Sequence, residues 1–204
     1  VDPHRGSDES GSRDAALRAF FALELDPLLR GALDEFVRGL RDRPGGESVR
    51  WVKAENLHVT LRFLGAIAPT RIARLVRCVA LETQQIAPLR LRLSAARIFP
   101  SARRPRVVAL GIEPEAPLAS LAAALERAVV AAGCEPEARP FRPHLTLGRI
   151  PPRAGFPSVT ASDTPPTDAF DVNEVLLFRS ELHPAGARYT PLERVPLSSA
   201  YGDA

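Results

Sequence analysis

A largely apolar run, LRAFFALEL at positions 17–25, has the pattern of a buried strand. Asp26 and Pro27 follow it. The first suits a helix N-cap and the second has the fixed backbone of a first helical turn. Leu29, Leu33, Phe36, Val37 and Leu40 then recur at helical spacing until Pro44-Gly45-Gly46 stops them. Residues 49–52 and 56–64 read as strands, the second ended by Gly65. Pro69 opens a second helix through Ile72, Leu75, Val76, Val79 and Ile86. Leu89, Leu91, Leu93 and Ala95 alternate with Arg90, Arg92 and Ser94, the signature of a half-exposed strand. Residues 106–112 can pair with it across a Pro-Ser-Ala-Arg-Arg-Pro loop. An alanine-rich helix at 116–132 ends at Gly133, and a strand at 143–150 follows. Residues 151–169, rich in Pro, Ser and Thr, read as a long loop before strands at 170–179 and 189–197.

Strands and helices mix here without the regular alternation of a doubly wound parallel sheet, which predicts an α+β fold. The first 14 residues are polar, rich in Gly and Ser and aperiodic, and read as a disordered tail or a remnant of cloning. Residues 15–200 are expected to form one domain.

Composition narrows the class. With 45% hydrophobic and 25% charged residues, the chain reads as a soluble globular protein. No apolar run reaches the length of a membrane span, and 15–25 is too interrupted by Arg18 and Glu24 for a signal peptide. Cys78 and Cys134 have neither metal nor redox spacing, which points to a reducing, cytoplasmic setting, with Cys78 a buried thiol on a helix. The net charge is +3, and Lys53 is the only lysine. Arginine's planar fork suits phosphate, although genomic base composition, which the abundance of Ala and Pro also reflects, is the better account of the bulk of the arginines. Arg103, Arg104 and Arg106 could track an RNA backbone or simply form a solvated loop.

The chemistry lies in a short repeat. Residues 58–61 read His-Val-Thr-Leu and residues 144–147 read His-Leu-Thr-Leu, two of only four histidines in the chain. In a strand, residues i and i+2 share a face, so each His and Thr would face a cleft while Val59, Leu61, Leu145 and Leu147 anchor a core. Side by side, two such strands offer one imidazole to take a proton from water and one imidazolium to protonate a leaving oxygen. The threonine hydroxyls can donate to phosphate oxygens. Other chemistries find less support: neither motif has a third ligand nearby for zinc, and Walker A and Gly-x-Ser-x-Gly patterns are missing. His4, in the tail, and His183, in a Leu-His-Pro loop, are given no direct role.

With these motifs and their flanks, the sequence resembles the two-histidine phosphoesterases, specifically the LigT-like bacterial and archaeal RNA 2′,3′-cyclic phosphodiesterases once named 2′-5′ RNA ligases. The resemblance runs from Arg18 to Leu197. It covers the 18–25 strand, Arg50-Trp51-Val52, residues 55–65, residues 106–111, residues 139–149 and Arg188-Tyr189-Thr190-Pro191-Leu192. It implies a bilobal fold with pseudo-twofold symmetry, each lobe carrying an antiparallel sheet and helices, and one His-x-Thr strand from each lobe lining a central cleft. His58, Thr60, His144 and Thr146 take the catalytic positions, Arg149 a phosphate contact and Phe63 a place near the substrate nucleoside. Strand alternation places Arg149 on the face opposite His144, so it reaches the cleft only through a kink, for which Gly148 is the expected place. Many relatives carry Trp where this chain has Ala109.

The implied reaction is hydrolysis of a terminal 2′,3′-cyclic phosphate to a 2′-phosphate, without metal or cofactor. His144 would activate water and His58 would protonate the departing 3′ oxygen. The expected partners are RNA ends or nucleoside 2′,3′-cyclic phosphates, with no membrane, and a monomeric state. Two alternatives stand beside it: a 2′-5′ RNA ligase running the reverse reaction, and a non-catalytic nucleotide- or RNA-binding module.

Overall fold

The first strand shows how one segment can serve two sides of a molecule. In the computed structural model, which describes residues 15–160, 162–184 and 186–198, β1 (Leu17–Glu24) is buried on both faces. Ala19, Phe21 and Leu23 enter the main core, while Phe20 and Ala22 join a separate cluster with Leu176 and Phe178. The expectation for residues 1–14, His4 included, lies outside the described residues.

Two antiparallel sheets follow from β1 onward. The first has the order β3-β1-β8-β9, with β3 at His58–Ile67, β8 at Glu174–His183 and β9 at Gly186–Pro196. The second has the order β2-β6-β5-β4-β7, comprising β2 (Arg50–Trp51), β4 (Leu89–Ser101), β5 (Arg104–Glu113), β6 (His144–Arg149) and β7 (Phe170–Val172). Among the described residues three α-helices accompany them: α1 (Pro27–Arg41), α2 (Ile72–Thr83) and α3 (Glu115–Ala131). The fold is α+β, as the sequence predicts.

The helix signals act as expected. The Asp26 carboxylate accepts from the Leu29 amide at 2.8 Å with Pro27 in the first turn, and Leu29, Leu33, Val37 and Leu40 are buried. Gly133, at φ 88°, takes the left-handed position just past α3. Helices α2 and α3 pack on each other, and α2 also meets β9 while α3 meets β3.

Five expectations change. The loop at 100–105 shrinks to a two-residue turn at Ala102-Arg103, because β4 runs on to Ser101 and β5 starts at Arg104. The strand at 56–64 begins at His58 and continues through Gly65 to Ile67, because Gly65 at φ 69° supplies a bend within the strand rather than its end. The strand at 170–179 is two strands. It breaks at Asn173, where the chain leaves β4 in one sheet and joins β1 in the other; the Asn173 carbonyl accepts from the Leu197 amide at 2.8 Å. Helix α2 stops at Thr83, whose buried hydroxyl donates to the Val79 carbonyl at 3.0 Å, leaving Ile86 outside it. Cys78 is half-buried rather than buried.

The 151–169 segment is a loop, as predicted, and is tied down. Asp163 pairs with Arg43 at 2.6 Å and accepts from the Thr160 amide at 2.6 Å, while its own carbonyl accepts from Ala96 of β4 at 2.7 Å. The Arg43 guanidinium holds the Asp163 carboxyl well below the usual carboxylate range.

Candidate active site

Strands β3 and β6 lie against each other and bring the two halves of the repeat together. Val59, Leu61, Leu145 and Leu147 are buried, while His58, Thr60, His144 and Thr146 are half-exposed. The alternation places apolar anchors in the core and the polar pairs on the cleft side, as expected.

The two histidines are held in the same way. His58 Nδ1 lies 2.7 Å from the Asn56 carbonyl, and His144 Nδ1 lies 2.8 Å from the Arg142 carbonyl. A carbonyl only accepts, so each Nδ1 carries the hydrogen and each Nε2 is left without one on the neutral ring. His58 Nε2 is 2.9 Å from Thr60 Oγ1, which donates to it when the ring is neutral. The carbonyl two residues upstream is backbone, so no side-chain motif advertises it.

The register answers how Arg149 reaches the cleft. Thr146 faces Ala109 of β5, yet Gly148 faces Val108, which leaves Leu147 without a partner. That extra residue is a β-bulge, which reverses the alternation beyond it. Arg149 therefore lies opposite Val107, on the face that holds His144 and Thr146. The expected kink is present one residue earlier than Gly148. Gly148 serves a different need: a Cβ there would come within 2.6 Å of Val49 Cγ1 and 3.0 Å of the Trp51 ring.

The same device occurs in the first copy. Thr60 faces Ala22 of β1 and Arg62 faces Phe21, leaving Leu61 unpartnered. Phe63, which simple alternation would send to the other face, instead lies opposite Phe20 with their ring centroids 5.8 Å apart. In both copies the leucine of the tetrapeptide is the bulged residue, and the residue three beyond the threonine is turned into the cleft.

The surroundings of the two imidazoles differ. His58 packs on Phe20 at 4.9 Å between centroids and meets the edge of Tyr189 at 5.1 Å. Glu24, beside His58 across the strand pair, is bound to Arg30 at 2.9 Å and Arg194 at 3.0 Å. A cavity of about 200 Å³ opens there, lined by His58, Phe20, Arg30, Phe178 and Tyr189 among others. Burial pushes the His58 pKa below the ordinary imidazole value despite the Asn56 hydrogen bond, and the charges of Arg149 and Arg30 push it the same way. That Arg149 acts on His58 places a β6 residue within electrostatic reach of the β3 imidazole. His144 stacks on Phe99 of β4, with centroids 4.6 Å apart and planes 13° from parallel.

All six residues expected at the site fall on the cleft faces of β3 and β6. Sequence reasoning did not single out Phe20, Tyr189, Phe99 or Arg30. Phe20 sits in a strand read only as apolar, Phe99 lies beyond the alternating residues 89–95, and the cross-strand register that aims both is not visible in a one-dimensional pattern. His183 ends β8, exposed and away from the cleft. Among the described residues no three His, Cys, Asp or Glu side chains gather as a metal site, and no helix is long and apolar enough to cross a membrane. A larger cavity of about 360 Å³, beside Arg62, Arg71 and Cys134, contains none of the six.

Comparison with known proteins agrees with this geometry. The family model of the 2′-5′ RNA ligase superfamily matches residues 30–184. An RNA 2′,3′-cyclic phosphodiesterase of Methanothermobacter thermautotrophicus is 34% identical over 181 residues, covering 87% of this chain and 97% of that protein. An Escherichia coli K12 protein of the same name is 31% identical, covering 89% and 97%. The crystal structure of E. coli LigT in apo form superposes with a TM-score of 0.75 at 30% identity, covering 90% of this chain and 99% of that one. E. coli LigT complexed with 3′-AMP gives a TM-score of 0.74 at 32% identity, covering 89% and 98%.

Proposed function

The chain belongs to the 2′-5′ RNA ligase superfamily, and we propose that it hydrolyses terminal 2′,3′-cyclic phosphates of RNA to 2′-phosphates by proton transfer between two histidines. Relatives bearing the name RNA 2′,3′-cyclic phosphodiesterase match it over most of their length. The observation that carries the mechanism is the shared frame of the histidines. Both Nδ1 atoms are committed to backbone carbonyls, so both Nε2 atoms remain for chemistry on strands that meet at the cleft.

In this scheme His144 Nε2 takes a proton from water as its oxygen bonds to phosphorus. His58 Nε2–H gives a proton to the 3′ oxygen as the P–O3′ bond breaks. Arg149 and the hydroxyls of Thr60 and Thr146 hold the nonbridging oxygens as charge builds on them. The lowered pKa of free His58 has a bearing on its role as acid. A cyclic phosphodiester brings one negative charge into the space that Arg149 shares with His58, offsets the repulsion, and favours the imidazolium when substrate is bound. Phe63, exposed on the cleft face, is placed to meet the nucleoside. The same scaffold in E. coli LigT has been observed with 3′-AMP and with phosphate.

We read residues 15–200 as one bilobal domain acting in the cytoplasm; one chain supplies both histidines, so a monomer suffices for the proposed reaction. The test is incubation with EDTA and an oligoribonucleotide ending in a 2′,3′-cyclic phosphate, followed by identification of the product end. A 2′-phosphate formed by the wild type and lost in His58→Ala and His144→Ala supports the reading. A bound but unaltered substrate leaves only a binding module. Adding a 5′-hydroxyl oligonucleotide tests ligation in the same tube.

A further inference from the structure

Among the described residues, arginines without a carboxylate partner occur in several places, Arg18, Arg41 and Arg77 included, but five of them gather beside His144 and along the hairpin next to it. Arg30, Arg43, Arg62, Arg90, Arg92, Arg127 and Arg194 each meet a carboxylate. Among the described residues, Arg97, Arg103, Arg104, Arg106 and Arg142 meet none, and all five are exposed.

They share one region. Arg97 of β4 lies opposite Ala109, which lies opposite Thr146, so all three belong to the cleft face of the second sheet. Its guanidinium rests on the backbone of Gly111, the β5 residue facing His144; a Cβ at position 111 would collide with it and with the Ser94 hydroxyl. Arg142 lies over the Phe99 ring at 6.0 Å, with His144 stacked on that same ring. From Phe99 the β4–β5 hairpin continues outward to Arg103 and Arg104, with Arg106 at a bulge just before the strand regains register. At about 3.3 Å per residue, this arm extends roughly 10 Å beyond Phe99. The opposite wall, around His58, is aromatic and carries Glu24 and Glu55.

We propose that this arm is a subsite for the RNA strand 5′ to the cyclic phosphate, with Arg97 and Arg142 nearest the reacting group and Arg103, Arg104 and Arg106 on phosphodiesters farther upstream. The inference rests on the phosphodiesterase reading and adds specificity-determining residues to it: these arginines make the enzyme prefer a polynucleotide end to a nucleoside 2′,3′-cyclic phosphate. The occupant follows from charge. Unpaired guanidinium groups on an exposed hairpin match a chain of singly charged phosphates, whereas a nucleoside cyclic phosphate carries one phosphate, the one that reacts between the histidines. Phe99 is already covered by His144, so the arm recognises backbone charge rather than base.

The experiment compares kcat/KM for a hexaribonucleotide ending in a 2′,3′-cyclic phosphate with kcat/KM for adenosine 2′,3′-cyclic phosphate. It uses the wild type and an Arg103→Gln/Arg104→Gln/Arg106→Gln variant, with Arg97→Gln/Arg142→Gln as a second variant. The wild type is expected to favour the hexamer tenfold or more, and the hexamer-to-nucleoside ratio to fall severalfold in each variant. Anisotropy of a labelled hexamer with a 3′-hydroxyl end reads the arm without turnover. The slope of log affinity against log salt should flatten by about 0.7 for each phosphate that the variant no longer neutralises. An unchanged ratio together with an unchanged salt slope overturns the proposal. Failure of the phosphodiesterase reading has a different signature: the wild type turns over neither substrate, while the anisotropy measurement still reports on the arm.

Discussion

The two copies of the tetrapeptide share a backbone and differ in company. In each, a carbonyl two residues upstream fixes Nδ1, the threonine sits on the histidine's face, and the following leucine bulges. The bulge turns one further side chain into the cleft, and there the copies part: it is Phe63 in the first and Arg149 in the second. His58 sits among Phe20, Phe178 and Tyr189, while His144 sits on a single ring beside unpaired arginines. A repeated frame thus supplies two imidazoles, and the residue released by each bulge divides the work. On the proposed reading, one side meets the nucleoside and the other the phosphate.

The comparison breaks first at the histidines. General acid or base action is worth about 10²–10⁴ in rate, so His58→Ala and His144→Ala should each lower kcat by that factor, or roughly 3–5 kcal/mol. The thermal midpoint should stay close to the wild type for His144→Ala, because that ring is half-exposed. Near-normal turnover in both variants would remove the proton-transfer scheme. Arg149→Ala comes next, with an expected loss of about 10²-fold in kcat/KM, as for other donors to developing charge. Arg149→Lys should recover only part of it, since a lysine lacks the two-pronged contact. An Arg149→Ala variant within twofold of the wild type would show that the second bulge does not serve phosphate.

The pH profile sharpens the division of roles. Burial, reinforced by Arg149 and Arg30, holds free His58 below the ordinary imidazole value. If His58 is the acid, kcat/KM falls as pH rises through that lowered value. In kcat the fall comes at higher pH, because bound phosphate favours the imidazolium. The basic limb of the kcat/KM profile should therefore lie to the acid side of that in kcat, and it should vanish in His58→Ala. Loss of the acidic limb instead would exchange the roles of the two histidines.

Much of this was legible in one dimension. Two copies of His-x-Thr-Leu on strands place the four polar groups of the proposed mechanism, because an alternation of two is enough to say which residues share a face. The helix caps at Asp26 and Gly133 were equally local. What the pattern could not reveal depends on pairing between distant segments. The bulges at Leu61 and Leu147 exist only relative to β1 and β5, so Arg149 carried the wrong parity on paper and Phe63 would have done so too. The break at Asn173 is of the same kind: residues 170–179 are apolar enough for one strand, and only the two sheets divide them.

The smallest effect concerns Phe63, and it tests whether the first bulge serves the nucleoside. The ring is 52% exposed although large and apolar, and its one aromatic neighbour is Phe20, which in turn supports His58. Stacking of a base on such a ring is worth about 1–3 kcal/mol. If Phe63 meets the base in the ground state and the transition state alike, Phe63→Ala should raise KM about tenfold and leave kcat within a factor of two, while Phe63→Tyr should behave as the wild type. The opposite pattern, a fall in kcat with KM unchanged, would mean that Phe63 acts through Phe20 on the orientation of His58. The first bulge would then belong to proton transfer, and the two halves of the cleft would be more alike than their side chains suggest.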